Sequence, residues 1–112
     1  METSDVFCAV ELIETPRFTR QVTAEMEAEE YRLLQLYLVA RPDAGVVVPG
    51  SGGLRKVRWG LSGRGKRRGA RIIYYWAVAR AQIFLLLLYP KNVRSDLTPA
   101  QLRLLRRLID HA

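Results

Sequence analysis

Residues 72–90 read IIYYWAVARAQIFLLLLYP, nineteen residues that are apolar except around Arg80 and Gln82 at the centre. The length approaches that of a membrane-spanning helix. A charge at the midpoint is costly in lipid, and both halves are rich in β-branched and aromatic residues. The run is therefore read as two buried strands, Ala70 to Ala79 and Gln82 to Tyr89, joined by a tight turn at ARAQ. In the first, Ile72, Tyr74 and Trp76 alternate with Arg71, Ile73 and Tyr75, so its two faces differ. The second, IFLLLLY, is apolar on both faces and is expected to be the most buried.

A third strand candidate, Leu54 to Gly60, precedes them, and Val6 to Glu14 is a fourth near the N-terminus. Consecutive strands with short links imply antiparallel pairing. Thr15-Pro16 marks a helix start for the short piece PRFTRQV. Thr23 is a second cap candidate, and TAEMEAEEYRLLQLYLVAR reads as one helix, acidic in its first turns and ended by Pro42 to Gly45. Its apolar stripe comprises Met26, Leu33, Leu34, Tyr37, Leu38 and Val39. Val46 to Gly53 has turn chemistry throughout. At the C-terminal end Thr98, Pro99 and Gln101 form a capping-box signature, with Leu97 and Leu102 at the staple positions. Leu102, Leu105, Leu108 and Ile109 are the expected apolar face of that helix. The expected order is βααβββα: an α+β domain spanning residues 1–112, its helices covering one face of a small, twisted antiparallel sheet.

With 112 residues the chain is long enough for one modest core. Cys8 is the sole cysteine, so no disulfide can form within the chain, which suits a reducing cytoplasm. The N-terminus, METSDVFCAVELIE, has neither a basic n-region nor a small-residue cleavage site, so no signal peptide is expected. Charge is lopsided. Residues 1–45 hold four basic and nine acidic side chains, a net −5; residues 46–112 hold fourteen and two, a net +12. A basic half beside an acidic half points to a polyanionic partner, and nucleic acid is the obvious one.

The cations gather in LRKVRWGLSGRGKRRGARIIYYW, residues 54–76. Arg55, Lys56 and Arg58 lie on one strand, Arg64, Lys66, Arg67 and Arg68 in the glycine-rich loop, and Arg71 on the next strand. Paired as a hairpin, they are expected to converge at one end and one face of the sheet. Trp59, Tyr74, Tyr75 and Trp76 are interleaved, a composition suited to stacking bases while cations hold phosphates; Tyr74 and Trp76 are better read as core. The loop matches GxxxxGK, yet Arg67 stands where a phosphate-binding loop carries Ser or Thr, and a strand follows rather than a helix. Nucleotide hydrolysis is set aside on those grounds.

Other chemistries are thinly supplied. His111 is the lone histidine, which removes a two-imidazole nuclease. No Cys/His cluster suits zinc, and Asp96 and Asp110 are the only carboxylates beyond residue 45. No metal or other cofactor is expected. A phosphodiester would have to be cleaved by Lys and Arg stabilising the crowded phosphate.

The chain resembles the RelE/ParE toxin superfamily of bacterial type II toxin–antitoxin systems, most closely its HigB-type branch. The resemblance rests on ETPRFTRQV, on VPGSGGLRKVRWGLSGRGKRRGARIIYYW and on LLLLYPKNVRSDLTPAQL, taken in order and spacing across nearly the whole chain. It implies a ribosome-dependent mRNA endonuclease that cuts in the A site by attack of the ribose 2′-OH on the adjacent phosphate, without metal. It further implies a cytoplasmic bacterial protein with no membrane contact. Its partners would be the ribosome, mRNA and a helix-turn-helix antitoxin of HigA type, and it would reach promoter DNA only through that complex. The family's two lysines on the second strand correspond to Lys56 and Arg58, the arginine of the next strand to Arg71, and the basic residue after the last strand to Lys91. A tyrosine used by some members falls near Thr98 and is absent. On this basis Lys56, Arg58, Arg71 and Lys91 are the expected catalytic residues. Arg71 and Arg58 would sit on the phosphate; Lys56 or Lys91 would transfer the proton, with Tyr75 or Tyr89 as substitutes. Arg55, Arg64, Lys66, Arg67, Arg68 and Tyr75 are the expected RNA contacts. Two other readings stay open: a ParE-like gyrase inhibitor, and a nucleic-acid-binding module without activity.

Overall fold

Strand pairing follows from the apolar runs of the second half. In this computed structural model, residues 10–60, 69–90 and 97–110 are described. The strands are β1 (Glu11–Glu14), β2 (Val46–Val47), β3 (Arg55–Gly60), β4 (Gly69–Ala77) and β5 (Gln82–Pro90), in the sheet order β1-β5-β4-β3-β2. The helices are α1 (Pro16–Glu25), α2 (Ala28–Ala40) and α3 (Pro99–Asp110). The α+β class is as expected.

Several details differ from the sequence reading. The sheet is mixed, because β1 runs parallel to β5, with Glu11 opposite Gln82 and Glu14 opposite Leu85. β1 is followed by two helices rather than a hairpin turn, so nothing local forces antiparallel pairing. Residues 46–53 contain the two-residue strand β2 on the far edge of β3. β4 ends at Ala77; the turn is a 3-10 segment, Val78–Arg80, closed by Ala81 in the left-handed region at φ 52°. No helix among the described residues is long and apolar enough to cross a membrane.

Helices cover both faces of the sheet rather than one. On one face Phe18, Val22, Leu34 and Leu38 of α1 and α2 pack on Ile72, Tyr74, Ile83 and Leu85. On the other, Leu102 and Ile109 of α3 pack on Ile73, Ala77, Phe84 and Leu87. A strand apolar on both sides demands this, since a single helical layer would leave half of β5 in water. The pairing of β4 with β5 slips by one residue, because Ile73 faces Leu87 while Tyr74 faces Leu85, leaving Leu86 as an extra residue in a β-bulge.

The single helix expected over Thr23–Arg41 is instead broken. The piece starting at Pro16 is a full helix that runs to Glu25, and Thr23 lies inside it, its hydroxyl donating to the Thr19 carbonyl at 2.7 Å. Met26, extended at φ −128° and ψ 148°, turns the chain and is itself buried. Burial of Met26 outweighs continued helical hydrogen bonding there. On α2 only Leu34 and Leu38 are fully buried, and Leu33, Leu36 and Tyr37 are exposed. On α3 Leu108 is half exposed and so lies off the buried stripe.

The caps expected at Thr15 and Thr98 form; the one expected at Thr23 does not, since Thr23 lies inside α1 and α2 starts after Glu27. Thr15 Oγ1 accepts from the Phe18 N–H at 3.0 Å and donates to the Leu86 carbonyl at 3.0 Å, tying the start of α1 to β5. At α3 the Thr98 N–H donates to Gln101 Oε1 at 2.8 Å, and the Gln101 N–H donates to Thr98 Oγ1 at 3.2 Å.

Candidate functional site

Strand alternation sorts the basic residues of the β3–β4 hairpin. Val57 and Trp59 pack toward α2, so Lys56 and Arg58 lie on the α3 side of β3. Ile73 and Ala77 pack toward α3, and Arg71, two residues before Ile73, shares their face. Register then fixes neighbours. Arg58 is directly opposite Arg71, and Arg71 is directly opposite Tyr89 of β5. The next row is Lys56, Ile73 and Leu87. Same-face residues two apart on a strand are about 7 Å apart, so Lys56, Arg58, Arg71 and Tyr89 make one patch. It lies near the end of the sheet where Gly60 pairs with Gly69 and the glycine-rich loop departs.

The remaining sequence candidates are distributed differently. Arg64, Lys66, Arg67, Arg68 and Lys91 lie outside the described residues, as do Cys8, Asp96 and His111. Arg55 falls on the opposite face from Lys56. Its Nη1 donates to the Gly45 carbonyl at 2.7 Å and the Asp43 carbonyl at 3.3 Å, so it braces the α2–β2 turn. The cations of β3 thus do not all converge, because adjacent residues on a strand point apart. Trp59 also belongs to the other face, its indole N–H donating to Glu30 Oε2 at 3.1 Å and its ring 5.5 Å from that of Tyr37. Tyr75 shares the face of Arg71 but sits four residues, about 13 Å, further along β4. The Arg106 guanidinium of α3 covers its ring at 4.7 Å.

Tyr74 is wholly buried, and its hydroxyl accepts from the Gly45 N–H at 2.8 Å and donates to the Pro42 carbonyl at 2.7 Å. Burial raises its pKa above the ordinary tyrosine value. Gly45 is required at this contact: a Cβ there would stand 2.9 Å from both the Lys56 carbonyl oxygen and Tyr74 Cε1. The Lys56 carbonyl and the Tyr74 ring thus both close on the turn at Gly45.

The β2–β3 loop is equally constrained. Buried Ser51 donates from Oγ to the Val48 carbonyl at 2.6 Å and accepts from the Leu54 N–H at 3.0 Å. Gly52 and Gly53 take φ of 77° and 99°, and Arg106 Nε donates to the Gly52 carbonyl at 3.1 Å. Between this loop, the sheet and the start of α3 lies a cavity of about 340 Å³ that reaches Lys56 and Tyr89.

Two guanidinium groups directly opposite on one face repel each other. An oxyanion between them turns that repulsion into attraction, and planar guanidinium donors fit phosphate oxygens in pairs. Guanidinium does not give up its proton, so within the patch only the Lys56 amine and the Tyr89 phenol are chemically suited to proton transfer. From sequence Tyr89 is expected only as a substitute base. Its place in the row depends on pairing register, which β5 composition does not reveal. Among the described residues no three His, Cys, Asp or Glu side chains are grouped to hold a metal ion.

The architecture is that of an α+β domain with a mixed five-stranded sheet held between an N-terminal helical pair and a C-terminal helix. No protein-family model matches the chain. Among solved structures it is similar to the E. coli toxin RelE, determined in the free state as a double arginine-to-alanine mutant. The TM-score is 0.59 at 14% sequence identity, over 88% of this chain and 97% of that one. The fold is RelE-like.

Proposed function

We propose that this protein is a RelE-type toxin of a bacterial type II toxin–antitoxin system, of the HigB branch, acting in the cytoplasm as a ribosome-dependent mRNA endonuclease. The observation that carries this reading is the cross-strand row Arg58, Arg71 and Tyr89, with Lys56 in the adjoining row. The RelE-like fold and the basic second half of the chain support it.

In this reading Arg58 and Arg71 hold the non-bridging oxygens of the scissile phosphate. The ribose 2′-oxygen forms a bond to phosphorus as the bond to the 5′-oxygen breaks, leaving a 2′,3′-cyclic phosphate and a 5′-hydroxyl. Charge grows on the phosphoryl oxygens in the transition state, where fixed guanidinium groups have the most effect. Lys56, Tyr89 or Lys91 accepts the 2′ proton or supplies the proton to the leaving oxygen. The chemistry is proposed to run without a metal, and the ribosome supplies the in-line geometry of the mRNA. A helix-turn-helix antitoxin of HigA type neutralises the toxin, and promoter DNA is bound only by the complex.

The test is primer extension on mRNA in a purified translation reaction, with and without ribosomes, comparing this protein with Arg71→Ala. Cuts at A-site codons that require ribosomes and vanish in the variant are expected. Intact mRNA with folded, antitoxin-free protein would overturn the reading. Gyrase-dependent DNA breaks would replace it with the ParE activity, and salt-sensitive binding without cleavage with a nucleic-acid-binding module.

A further inference from the structure

Helix α2 is apolar over more of its circumference than the sheet covers. Leu34 and Leu38 are fully buried in the core shared with β4 and β5. On the opposite side Leu33 and Leu36 are 54% and 57% exposed, and Glu29 and Ala40 are exposed as well. A helix apolar on two sides ordinarily has a second layer against it. Glu29, Leu33, Leu36 and Ala40 follow one another at intervals of 4, 3 and 4 residues, the spacing that keeps side chains in one line along a helix packed on another helix. At 1.5 Å per residue the line is about 16 Å long.

We propose that this stripe is the contact through which two copies of the chain associate, α2 packing antiparallel on α2 of the second copy about a two-fold axis. Three features select a second copy. The stripe complements itself when reversed: Leu33 and Leu36 straddle its midpoint, so Leu33 of one copy meets Leu36 of the other. Its ends carry opposite charge, because Glu29 begins the stripe and Arg41, also exposed, directly follows Ala40. Reversal brings Glu29 of each copy to Arg41 of the other, a pair made twice in a symmetric interface. The helix dipoles also oppose in this arrangement, whereas a parallel pair would set Glu29 against Glu29 at two like ends.

This pairing leaves the arginine row uncovered. α2 packs on one face of the sheet, and Arg58 and Arg71 lie on the other, with α3. The inference therefore goes beyond the mRNA-cleavage reading and does not depend on it. Tyr37 borders the stripe, and its ring is held 5.5 Å from that of Trp59, which gives the contact a fixed flank. A seam of three helical turns is smaller than the roughly 1,200–2,000 Å² in total that stable complexes bury, so the association should be weak and reversible.

Sedimentation equilibrium on the whole protein, from micromolar to millimolar concentration, reads the association directly. The mean mass is expected to rise from that of one chain toward that of two. Leu36→Glu, at an exposed position, should give the parent's circular dichroism spectrum and weaken the association about tenfold or more. Glu29→Arg and Arg41→Glu should each weaken it about threefold or more, and the double variant should return it close to the parent affinity, since the pair is then reversed rather than lost. The mass of one chain at every concentration would overturn the proposal and leave the stripe to a partner of another kind, such as the antitoxin. An association that Leu36→Glu leaves intact, or that the double variant fails to restore, would overturn it as well.

Discussion

Arg58 and Arg71 face each other directly across β3 and β4 on the side of the sheet that carries α3. Like charges opposite one another destabilise a strand pair. Arg58 is exposed, and Arg58→Gln should raise stability by about 0.2–1 kcal/mol in low salt. Urea unfolding is the measurement, and the gain should shrink at high ionic strength as screening removes the repulsion. The same substitution should abolish the proposed mRNA cleavage. A variant that loses stability as well as activity would show that the pair is not repulsive in the free protein.

The contact between Tyr74 and Gly45 should be among the least tolerant in the molecule. Tyr74→Phe leaves the Gly45 N–H and Pro42 carbonyl without their partner, at a cost of about 1–3 kcal/mol. Gly45→Ala places a Cβ against a backbone oxygen and an aromatic ring, neither at the end of a flexible chain, and should cost about 1–3 kcal/mol. Because both changes act on one contact, the double variant should lose less than the two separate losses combined. Denaturant titration of the three variants tests this.

Arg106 joins α3 to the β2–β3 loop through the Gly52 carbonyl and to β4 through the Tyr75 ring, and within α3 it pairs with Asp110 one turn on at 2.7 Å. Arg106→Ala should cost about 1–2 kcal/mol. It should also speed hydrogen exchange at the amides of residues 50–54. Arg106→Lys should recover little, because a lysine cannot reproduce the planar stacking and the directed Nε–H bond together.

Alkaline stability should depend on two phenols. Tyr31 donates to Glu14, and burial, followed by that carboxylate, raises its pKa above the ordinary value; burial likewise raises that of Tyr74. A raised folded-state pKa means the folded protein holds the proton more tightly than the unfolded chain. The contribution is therefore complete below the unfolded pKa of about 10 and is lost as pH climbs from there toward the folded values. Denaturation midpoints measured from pH 8 upward should fall less steeply in Tyr31→Phe than in the parent. An unchanged slope would mean that the Tyr31 phenol ionises equally well in both states.

Local chemistry was legible in the sequence; long-range geometry was not. The Thr98–Gln101 capping box and the Thr15–Pro16 start were readable because a cap involves residues within three positions of one another. The break at Met26 was hidden because an apolar residue there continues the helical stripe, and only a tertiary site for its side chain makes the turn favourable. The parallel partner of β1 lies about seventy residues away, and nothing near Glu11 encodes its direction. Lys56, Arg58 and Arg71 stood out as basic residues on strands. Their convergence was expected from a hairpin; the opposite placement of Arg55 and the row position of Tyr89 follow from alternation combined with register.

The extra leucine in β5 has a consequence for parity. Phe84 and Tyr89 are an odd number of residues apart, so a regular strand would turn them to opposite sides; here both look toward α3. A chain with Leu86 deleted keeps Tyr89 opposite Arg71 and simply straightens the ladder. A chain with one more leucine must either accommodate a second unpaired residue or slide Tyr89 past Arg71 and turn its hydroxyl toward the wrong side. The count of leucines in this run thus decides whether the tyrosine joins the arginines, and shortening it by one should be far better tolerated than lengthening it.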